Sequence, residues 1–541
     1  VPDPDAPFSA PNANQSTRPA RGRAMPGRAA PGRPGQPPSR TARRRSARRR
    51  RRLRRTIVAA TVLVGIVVLL AGGGYLYALY RYHQIHKDKV GNLVSEADTK
   101  GVNILLIGEN CRACLNGKQA NAFGTGSEVG GNRSDVTMLL HLDPATHTAS
   151  VVSIPRDSFV PIPGTDKANR VDDALNTGPS ELVKTIEDDY GIPINHFVGL
   201  NFDTFQGVVN SLGGIKMYFP DPVKDAYSGL NIPNPGCHLL NGFQALAVVR
   251  ARHMYYEVNG QWYYDPTGDI SRIHRDHEFL KVLAAEVKPR LHNPLTVNSL
   301  LGSIAPDLQV DSGFGLNEMI SLVLAFRNVD PATVPTATEP VFEVPGDFTY
   351  DGVPGYGSVV FPVSPTDYTL LWQRFDIKTP AIAPGTTVSV LNGSGIAGQA
   401  AAVGQALTSL GEHVVNVGNA TASSDPAETI VYYRPGYEKQ AMALLPHLSG
   451  NAVMGERNLP SGLDLQVVTG TYLSVTGTPA STSATGSSAA SSSASGTGTS
   501  SATSGVQGQP VPSVDVTPAT EPLPSYDPRA CPAGMPVTPV S

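Results

Sequence analysis

Arginine recurs in this chain directly after apolar runs, where a core element would deliver it to a rim. Arg156-Asp157 follows Ser153-Ile-Pro155, and Arg250 and Arg252 follow the apolar run 245–249. In extended chain, an i, i+2 pair points both guanidinium groups to one side. Arg272 and Arg275 stand at i, i+3 near the start of a helical pattern, on one helix face. Arginines converging in this way suit a pyrophosphate, because each planar fork engages phosphate oxygens bidentately. Two carboxylates belong with them. Asp135 precedes an apolar run over 136–142 and Asp157 follows another over 150–155. Between the runs, Asp143-Pro-Ala-Thr-His147 carries turn chemistry. Antiparallel pairing would bring Asp135 and Asp157 to the open end of one hairpin, beside Arg133 and Arg156. Two oxygen ligands beside a phosphate describe a Mg²⁺ site, whose ion would neutralise the pyrophosphate and stabilise the departing phosphate.

Each feature has a plainer reading taken alone. A single Arg-Asp pair is an ordinary surface ion pair, and Arg272 with Arg275 is a solvated helix face. His274 and His277 are spaced i, i+3 without a helical carboxylate partner, which is poor zinc spacing. Asn392-Gly-Ser-Gly395 precedes a helical pattern, but no P-loop lysine follows, so its glycines read as a tight turn. No local motif suggests a Ser-His-Asp arrangement.

The elements that must position these residues follow from periodicity. The apolar run 103–108 suits a buried strand, and 215–219 another. Helical spacing covers 180–190 and 205–212, closed by Gly191 and by Gly213-Gly214. The clearest helix spans 268–287, with Asp269 as N-cap, Ile270, Ile273, Leu280, Ala284 and Val287 on one face, and Pro289 as stop. Residues 101–334 therefore read as one alternating α/β domain, and 335–384, rich in Pro and Gly, as a linker. A second small α/β unit of βαβ type occupies 385–470, with strands over 387–391, 413–417 and 429–433 and a helix over 398–410. From about 475 to 541 the composition turns to Ser, Thr, Gly and Pro, a disordered tail.

The net charge of −2 on 541 residues conceals an asymmetry. Residues 1–55 are Pro-, Gly- and Arg-rich, read as disordered, and end in a dense arginine run; the remainder is acidic by difference. Residues 57–80 carry no charge and are long enough to cross a hydrocarbon core of about 30 Å. Tyr75, Tyr77 and Tyr80 fall at the far interface. A cleaved signal peptide is the competing reading, with a shorter apolar core. The single transmembrane helix places the arginine run in the cytoplasm and everything after Tyr80 outside the plasma membrane. The run then touches anionic membrane lipid, and no specific nucleic acid is expected. Residues 81–100 read as a short helical stalk.

The site residues sit in an ordered set of motifs. These are Asn132-Arg-Ser-Asp-Val-Thr137, Ser153-Ile-Pro-Arg-Asp157, Val208-Val-Asn-Ser-Leu-Gly-Gly-Ile215, Leu240-Asn-Gly-Phe-Gln-Ala-Leu246, Arg250-Ala-Arg252 and Gly268-Asp-Ile-Ser-Arg-Ile-His-Arg275. Over about 101–325 the set resembles the LytR–CpsA–Psr family of cell-wall glycopolymer ligases. Residues 387–468, with Val390-Leu-Asn-Gly-Ser-Gly395, resemble the accessory C-terminal domain of many actinobacterial members. The resemblance implies a mixed sheet flanked by helices. It also implies a phosphotransferase that moves a glycopolymer from a polyprenyl-pyrophosphate carrier to peptidoglycan through a phosphodiester. Carried over by position, Asp135 and Asp157 hold Mg²⁺. Arg133, Arg156, Arg250, Arg252, Arg272 and Arg275 surround the pyrophosphate, with Arg170 of Lys167-Ala-Asn-Arg170 in the same shell. Asp269 orients the helix and its arginines or assists proton transfer. The family's apolar lipid pocket is implied, but its residues are not marked.

Two departures stand out. His277 replaces a glutamine frequent in the family; it can still donate to a phosphate, and protonation near neutral pH would make turnover pH-sensitive. Cys111-Arg-Ala-Cys114 lies in a long insert before Asn132. A local disulfide there, or pairing with Cys237 or Cys531, are both open, since four cysteines allow three complete pairings. The polymer itself, whether arabinogalactan, teichoic acid or a capsule-like polysaccharide, is not specified. Two non-catalytic readings also stay open: a lipid-linked glycan-binding or assembly protein, and a regulator acting through the basic N-terminal segment.

Overall fold

The computed structural model describes residues 68, 72–110, 133–165, 167–306, 308–344, 346–350, 352–421, 428–475 and 523–540. The chain divides into two units, Val1–Gly74 and Tyr75–Ser541. Of the first, only Val68 and residues 72–74 are described, and they are helical. Most of the expected transmembrane segment therefore lies outside the described residues. Among the described residues no helix is long and apolar enough to cross a membrane.

The second unit runs through β1 (His86–Asp88), β2 (Val102–Asn110), β3 (Arg133–Asp143), β4 (Thr148–Ile154), α1 (Pro179–Tyr190), β5 (His196–Leu200), α2 (Phe202–Ser211), β6 (Ile215–Phe219), β7 (Gly236–Leu240), α3 (Gly242–Arg250), α4 (Gly268–Val287), β8 (Leu308–Asp311), α5 (Leu316–Phe326) and β9 (Thr336–Thr338), besides shorter elements. A seven-stranded mixed sheet has the order β1-β8-β5-β2-β3-β4-β9. The β3–β4 hairpin forms in the expected register, from Asp143 opposite Thr148 to Thr137 opposite Ile154. Its core face is the apolar alternation that the sequence carries: Leu105, Ile107, Leu139, Val152 and Ile154 are buried together. Residues 81–100 are not a helical stalk. Helix ends at residue 82, and β1 pairs in parallel with β8 at the edge of the sheet.

The segment 335–384 is folded rather than a linker. β9 pairs with β4, and it is followed by a hairpin of β10 (Val341–Val344) and β11 (Val359–Pro362) and by α6 (Thr366–Arg374). The Pro and Gly content hides an aromatic set, including Phe342, Phe361, Tyr368 and Trp372, that is buried. Trp372 Nε1 donates to the Tyr190 carbonyl at 2.8 Å, so α6 is fastened to the end of α1.

The second α/β unit is larger than a βαβ module. It comprises β12 (Thr387–Asn392), α7 (Gln399–Leu410), β13 (His413–Asn419), β14 (Thr429–Tyr433), β15 (Ala452–Glu456) and β16 (Leu465–Thr469), in the order β13-β12-β16-β14-β15. Its core is continuous with that of α1: Leu182, Ile186 and Tyr190 belong to the same buried cluster as Met442, Leu444 and Val453. Gly191 closes α1 at φ +64°, and a Cβ there would lie 2.9 Å from the methyls of Met442 and Met454. A side chain at this position would strain the left-handed backbone and displace the two methionine methyls.

The end of the expected disordered tail is also structured. β17 (Arg529–Ala530) pairs with β6 and β18 (Val537–Pro539) with β7, and Cys237 is bonded to Cys531. Cys111 and Cys114 lie outside the described residues, as does the rest of the insert before Asn132.

Candidate functional site

The open end of the β3–β4 hairpin carries an alternating ladder of guanidinium and carboxylate groups. Arg156 Nη1 donates to Asp135 Oδ1 at 2.6 Å, and Arg156 Nε lies 3.5 Å from Asp157 Oδ2. Arg170 reaches Asp157 Oδ1 at 3.4 Å, and Arg252 reaches Asp157 Oδ2 at 2.9 Å. Arg252 Nε is 2.7 Å from Asp269 Oδ1, which Arg272 approaches from the other side at 3.2 Å. Arg272 Nε stands 4.0 Å from Asp276 Oδ2. Five segments far apart in sequence thus supply one network.

Local folding explains each placement. Asp135 sits two residues before the first paired hairpin residue and Arg156 two after the last, so the register sets them together. Arg250 and Arg252 are not an extended pair. The apolar run before them is helix α3, Arg250 is its last residue, and only Ala251 is extended. The guanidinium of Arg250 consequently lies over the Phe202 ring at 4.7 Å, while Arg252 turns into the ladder. Asp269 is not the N-cap of α4; Thr267 holds that position, and Asp269 in the first turn spends its side chain on the two arginines.

The electrostatics are crowded on both sides. Burial alone would push the Asp135 carboxyl up, but Arg156, Arg272, Arg250 and Arg252 outweigh it and hold it below the ordinary carboxylate range. Burial lowers the Arg252 guanidinium, and its neighbours Arg156 and Arg272 add to that while Asp269 and Asp157 oppose it. Asp172, absent from the sequence-derived set, is buried beside Arg170, 3.8 Å from its Nε. Its carboxyl is pushed up to about 6 by burial, against the pull of Arg156 and Arg170. Neither of its oxygens has a hydrogen-bond partner among the described residues. Arg133 contributes to the field at Asp172, and its own Nε is buried without a hydrogen bond among those residues. No local pattern marks Asp172; it follows the Lys167–Arg170 strand in a 3₁₀ turn.

Two expected members leave the ladder. Arg275 is fully buried and engages Asp265 at 3.3 Å, Asp527 of the C-terminal tail at 3.0 Å and the Ala251 carbonyl. A 60° offset on the helix from Arg272 is enough to send it behind the site. His277 faces the sheet, with Nε2 2.8 Å from Ser153 Oγ. Burial pulls its imidazole down to about 3, so it is neutral at physiological pH and cannot supply the expected titration near neutrality.

Asp135 and Asp157 both contact the Arg156 guanidinium. Among the described residues, no three metal-ligating side chains converge here; the one such set lies elsewhere. Two carboxylates are nevertheless the usual protein share of a Mg²⁺ site whose other ligands are phosphates and water. Neither Asp172 oxygen is hydrogen-bonded among the described residues, so the oxygen donors here are of the hard type that Mg²⁺ takes. Further along the hairpin, an apolar cavity of about 210 Å³ lies between the sheet and α4, lined by Leu140, Leu142, Val151, Leu280, Ala284 and Phe326 among others.

A family model described as the LytR_cpsA_psr family matches residues 75–356, just over half of the 541-residue chain, and the chain belongs to that family. A second, described as LytR cell envelope-related transcriptional attenuator, matches residues 385–472. The "Probable cell wall biosynthesis protein LcpB" of Corynebacterium glutamicum is 31% identical over 253 residues, 46% of this chain and 58% of the relative. The "Cell wall biosynthesis protein LcpA" of the same organism is 24% identical over 418 residues, 68% of this chain and 76% of the relative. A Bacillus anthracis "polyisoprenyl-teichoic acid--peptidoglycan teichoic acid transferase TagU" is 28% identical over 227 residues, 40% of this chain and 66% of the relative. The chain thus spans less than two thirds of LcpB and of TagU. Among solved structures, a "LytR-Csp2A-Psr enzyme from Actinomyces oris" aligns with TM-score 0.43 and 24% identity, covering 54% of this chain and 96% of that one.

Proposed function

We propose that this protein transfers a glycopolymer from a polyprenyl-pyrophosphate carrier to peptidoglycan, using the Arg–Asp ladder as its pyrophosphate site. One observation carries the reading: Arg156, Arg252 and Arg272 are all held on carboxylates along one rim. The transferase named in TagU is of the same class. In this reading the three arginines exchange carboxylate for phosphate oxygens when substrate arrives, with Arg133, Arg170 and Arg250 completing the cationic rim. Asp135 and Asp157 would hold Mg²⁺, which when bound would neutralise charge on the pyrophosphate. An acceptor hydroxyl of peptidoglycan attacks the phosphorus that bears the glycan. A new P–O bond forms, the bond to the bridging oxygen breaks, and polyprenyl monophosphate leaves. Asp269 orients Arg252 and Arg272 and takes the acceptor proton. Arg275 acts through α4, not on the phosphate. The apolar cavity beside α4 receives part of the polyprenyl chain. The arrangement needs no protein nucleophile.

The carrier lipid requires a membrane location. Residues 57–80 supply a single span, with the arginine run inside and the ladder outside. The Cys237–Cys531 bond accords with an oxidising exterior.

The test is turnover of a lipid-linked pyrophosphate glycan by the full chain, with and without Mg²⁺. Arg252→Ala and Asp135→Asn should each lower turnover by about 100-fold or more, equivalent to about 2.7 kcal/mol of barrier. Turnover unchanged in both variants overturns the site. Binding of the lipid without consumption, in either metal condition, overturns the reaction in favour of a glycan-holding protein.

A further inference from the structure

His196 on β5 is buried, and the three carboxylates that meet its ring, Glu96, Asp311 and Glu318, are none of them members of the Arg–Asp ladder. Asp311 of β8 stands behind it, with Oδ2 3.0 Å from Nδ1. The same Oδ2 accepts the Phe197 backbone N–H at 3.1 Å, and Oδ1 accepts that of Gly313 at 2.9 Å. Asp311 is therefore fixed by the main chain and set to accept a hydrogen bond from Nδ1–H, the tautomer that leaves the Nε2 lone pair facing the glutamates. The Phe314 ring stacks on the imidazole at 4.2 Å and locks its plane.

Nε2 meets only acceptors. Glu318 Oε1 of α5 is 2.8 Å away, and Glu96 Oε1, in the turn Glu96–Asp98, is 3.3 Å away. All three ligand atoms lie within 4.8 Å of one another. Among the described residues, no Lys or Arg pairs with Glu96, Asp311 or Glu318. Nε2 and the two glutamate oxygens therefore need a positive partner among them, which a shared proton or a metal ion would supply. One proton leaves three carboxylates around a single positive charge. A divalent ion matches the ligand charge better.

We propose that Glu96, His196 and Glu318 bind a zinc-class divalent cation, with Asp311 as the carboxylate that orients the histidine. The spacing suits it. Ligand atoms about 2.05 Å from a tetrahedral zinc lie about 3.3 Å apart, against 2.8 and 3.3 Å here. A ring nitrogen among the ligands selects zinc and its neighbours over Mg²⁺ and Ca²⁺, which take oxygen. The carboxylate–histidine–metal order is the one in which an outer carboxylate sets the ring's tautomer and basicity. The three ligands come from a turn near the start of the unit, the central sheet and α5. A bound ion would staple that turn, partly exposed at Glu96, to the sheet edge. The site is independent of the glycopolymer reading.

The experiment is equilibrium dialysis of the chelator-stripped full chain against Zn²⁺ alone, with the bound metal quantified. Parallel samples are the Glu96→Gln, Glu318→Gln double variant and the Asp135→Asn, Asp157→Asn double variant. Far-UV circular dichroism establishes that each is folded. The expected result is one Zn²⁺ held by the wild type and by the aspartate variant, and lost from the glutamate variant. Excess Mg²⁺ should not displace it. Zn²⁺ should raise the thermal midpoint of the wild type and of the aspartate variant but not of the glutamate variant, and Asp311→Asn should weaken binding by about 10- to 100-fold. Equal Zn²⁺ uptake by the wild type and the glutamate variant, or none by either, overturns the proposal and leaves a protonated histidine holding two glutamates. Glycan transfer by the glutamate variant stays at the wild-type level, so the two readings fail separately.

Discussion

Arg272 and Arg275 show how much one residue's position on a helix decides. Both lie on the same four-residue stretch, both are buried, and their partners differ completely: Asp269 and Asp276 for one, Asp265 and Asp527 for the other. His277, two residues on, is turned to the sheet and kept neutral by burial. Its folded value of about 3 lies below the ordinary 6.5. Such a group stabilises fully above its unfolded value, and that stability is lost as pH falls from about 6.5 toward 3. Between pH 7 and pH 5 the wild type should therefore lose about 2 kcal/mol more than His277→Gln in urea unfolding. Equal losses in the two proteins would show that the imidazole is not desolvated. Turnover should show no titration assignable to His277 between pH 6 and pH 8.

At the scale of elements, α4 is the member on which the site turns. Its first turn carries Asp269 and Arg272 at the rim, and the next lies against the C-terminal tail. Asp527 pairs with Arg275, and the Tyr526 hydroxyl donates to Asp265 at 3.2 Å while its ring stacks on Tyr256 at 3.9 Å. Two short strands and one disulfide hold that tail against β6 and β7. Closing so long a loop restricts the unfolded chain, and a disulfide of this kind contributes about 2–4 kcal/mol. Cys531→Ser, or reductant on the wild type, should lower the thermal midpoint by several degrees and increase deuterium uptake in the first turns of α4. An unchanged midpoint together with unchanged uptake would mean that the tail only rests on the domain.

The unit Tyr75–Ser541 is tied together by a core that crosses the boundary between its two α/β parts. α1 of the first contributes Leu182, Ile186 and Tyr190, the second contributes Met442, Leu444 and Val453, and Trp372 of the intervening α6 is 2% exposed between them. A shared core couples the unfolding of both parts. Calorimetry of the full chain should give a single main transition for the two. Trp372→Ala, costing about 3–5 kcal/mol in cavity and lost contacts, should separate it into two. Two transitions in the wild type would show that the domains unfold independently.

Local pattern alone determined the hairpin register, the helix over 268–287, the central strands β2, β3 and β4, and three of the five strands of the second α/β part. Alternation of period two and recurrence at 3.6 are local properties, and burial follows them wherever one face meets a core. It also determined that Asp135 and Arg156 would meet, because a hairpin's pairing is fixed by its turn. Long-range packing decided the rest. The apolar run before Arg250 became a helix because it is buried on α2 and α4, and short apolar runs do not distinguish strand from helix. The segment 335–384 folds because aromatic residues dispersed among Pro and Gly find a common core, which composition does not register. Asp172 and Asp527 became legible only once chain segments distant in sequence were adjacent. The arginines were therefore visible in the sequence as a chemical type, while which of them share one rim was settled by the fold, through the orientation of each side chain against its own core.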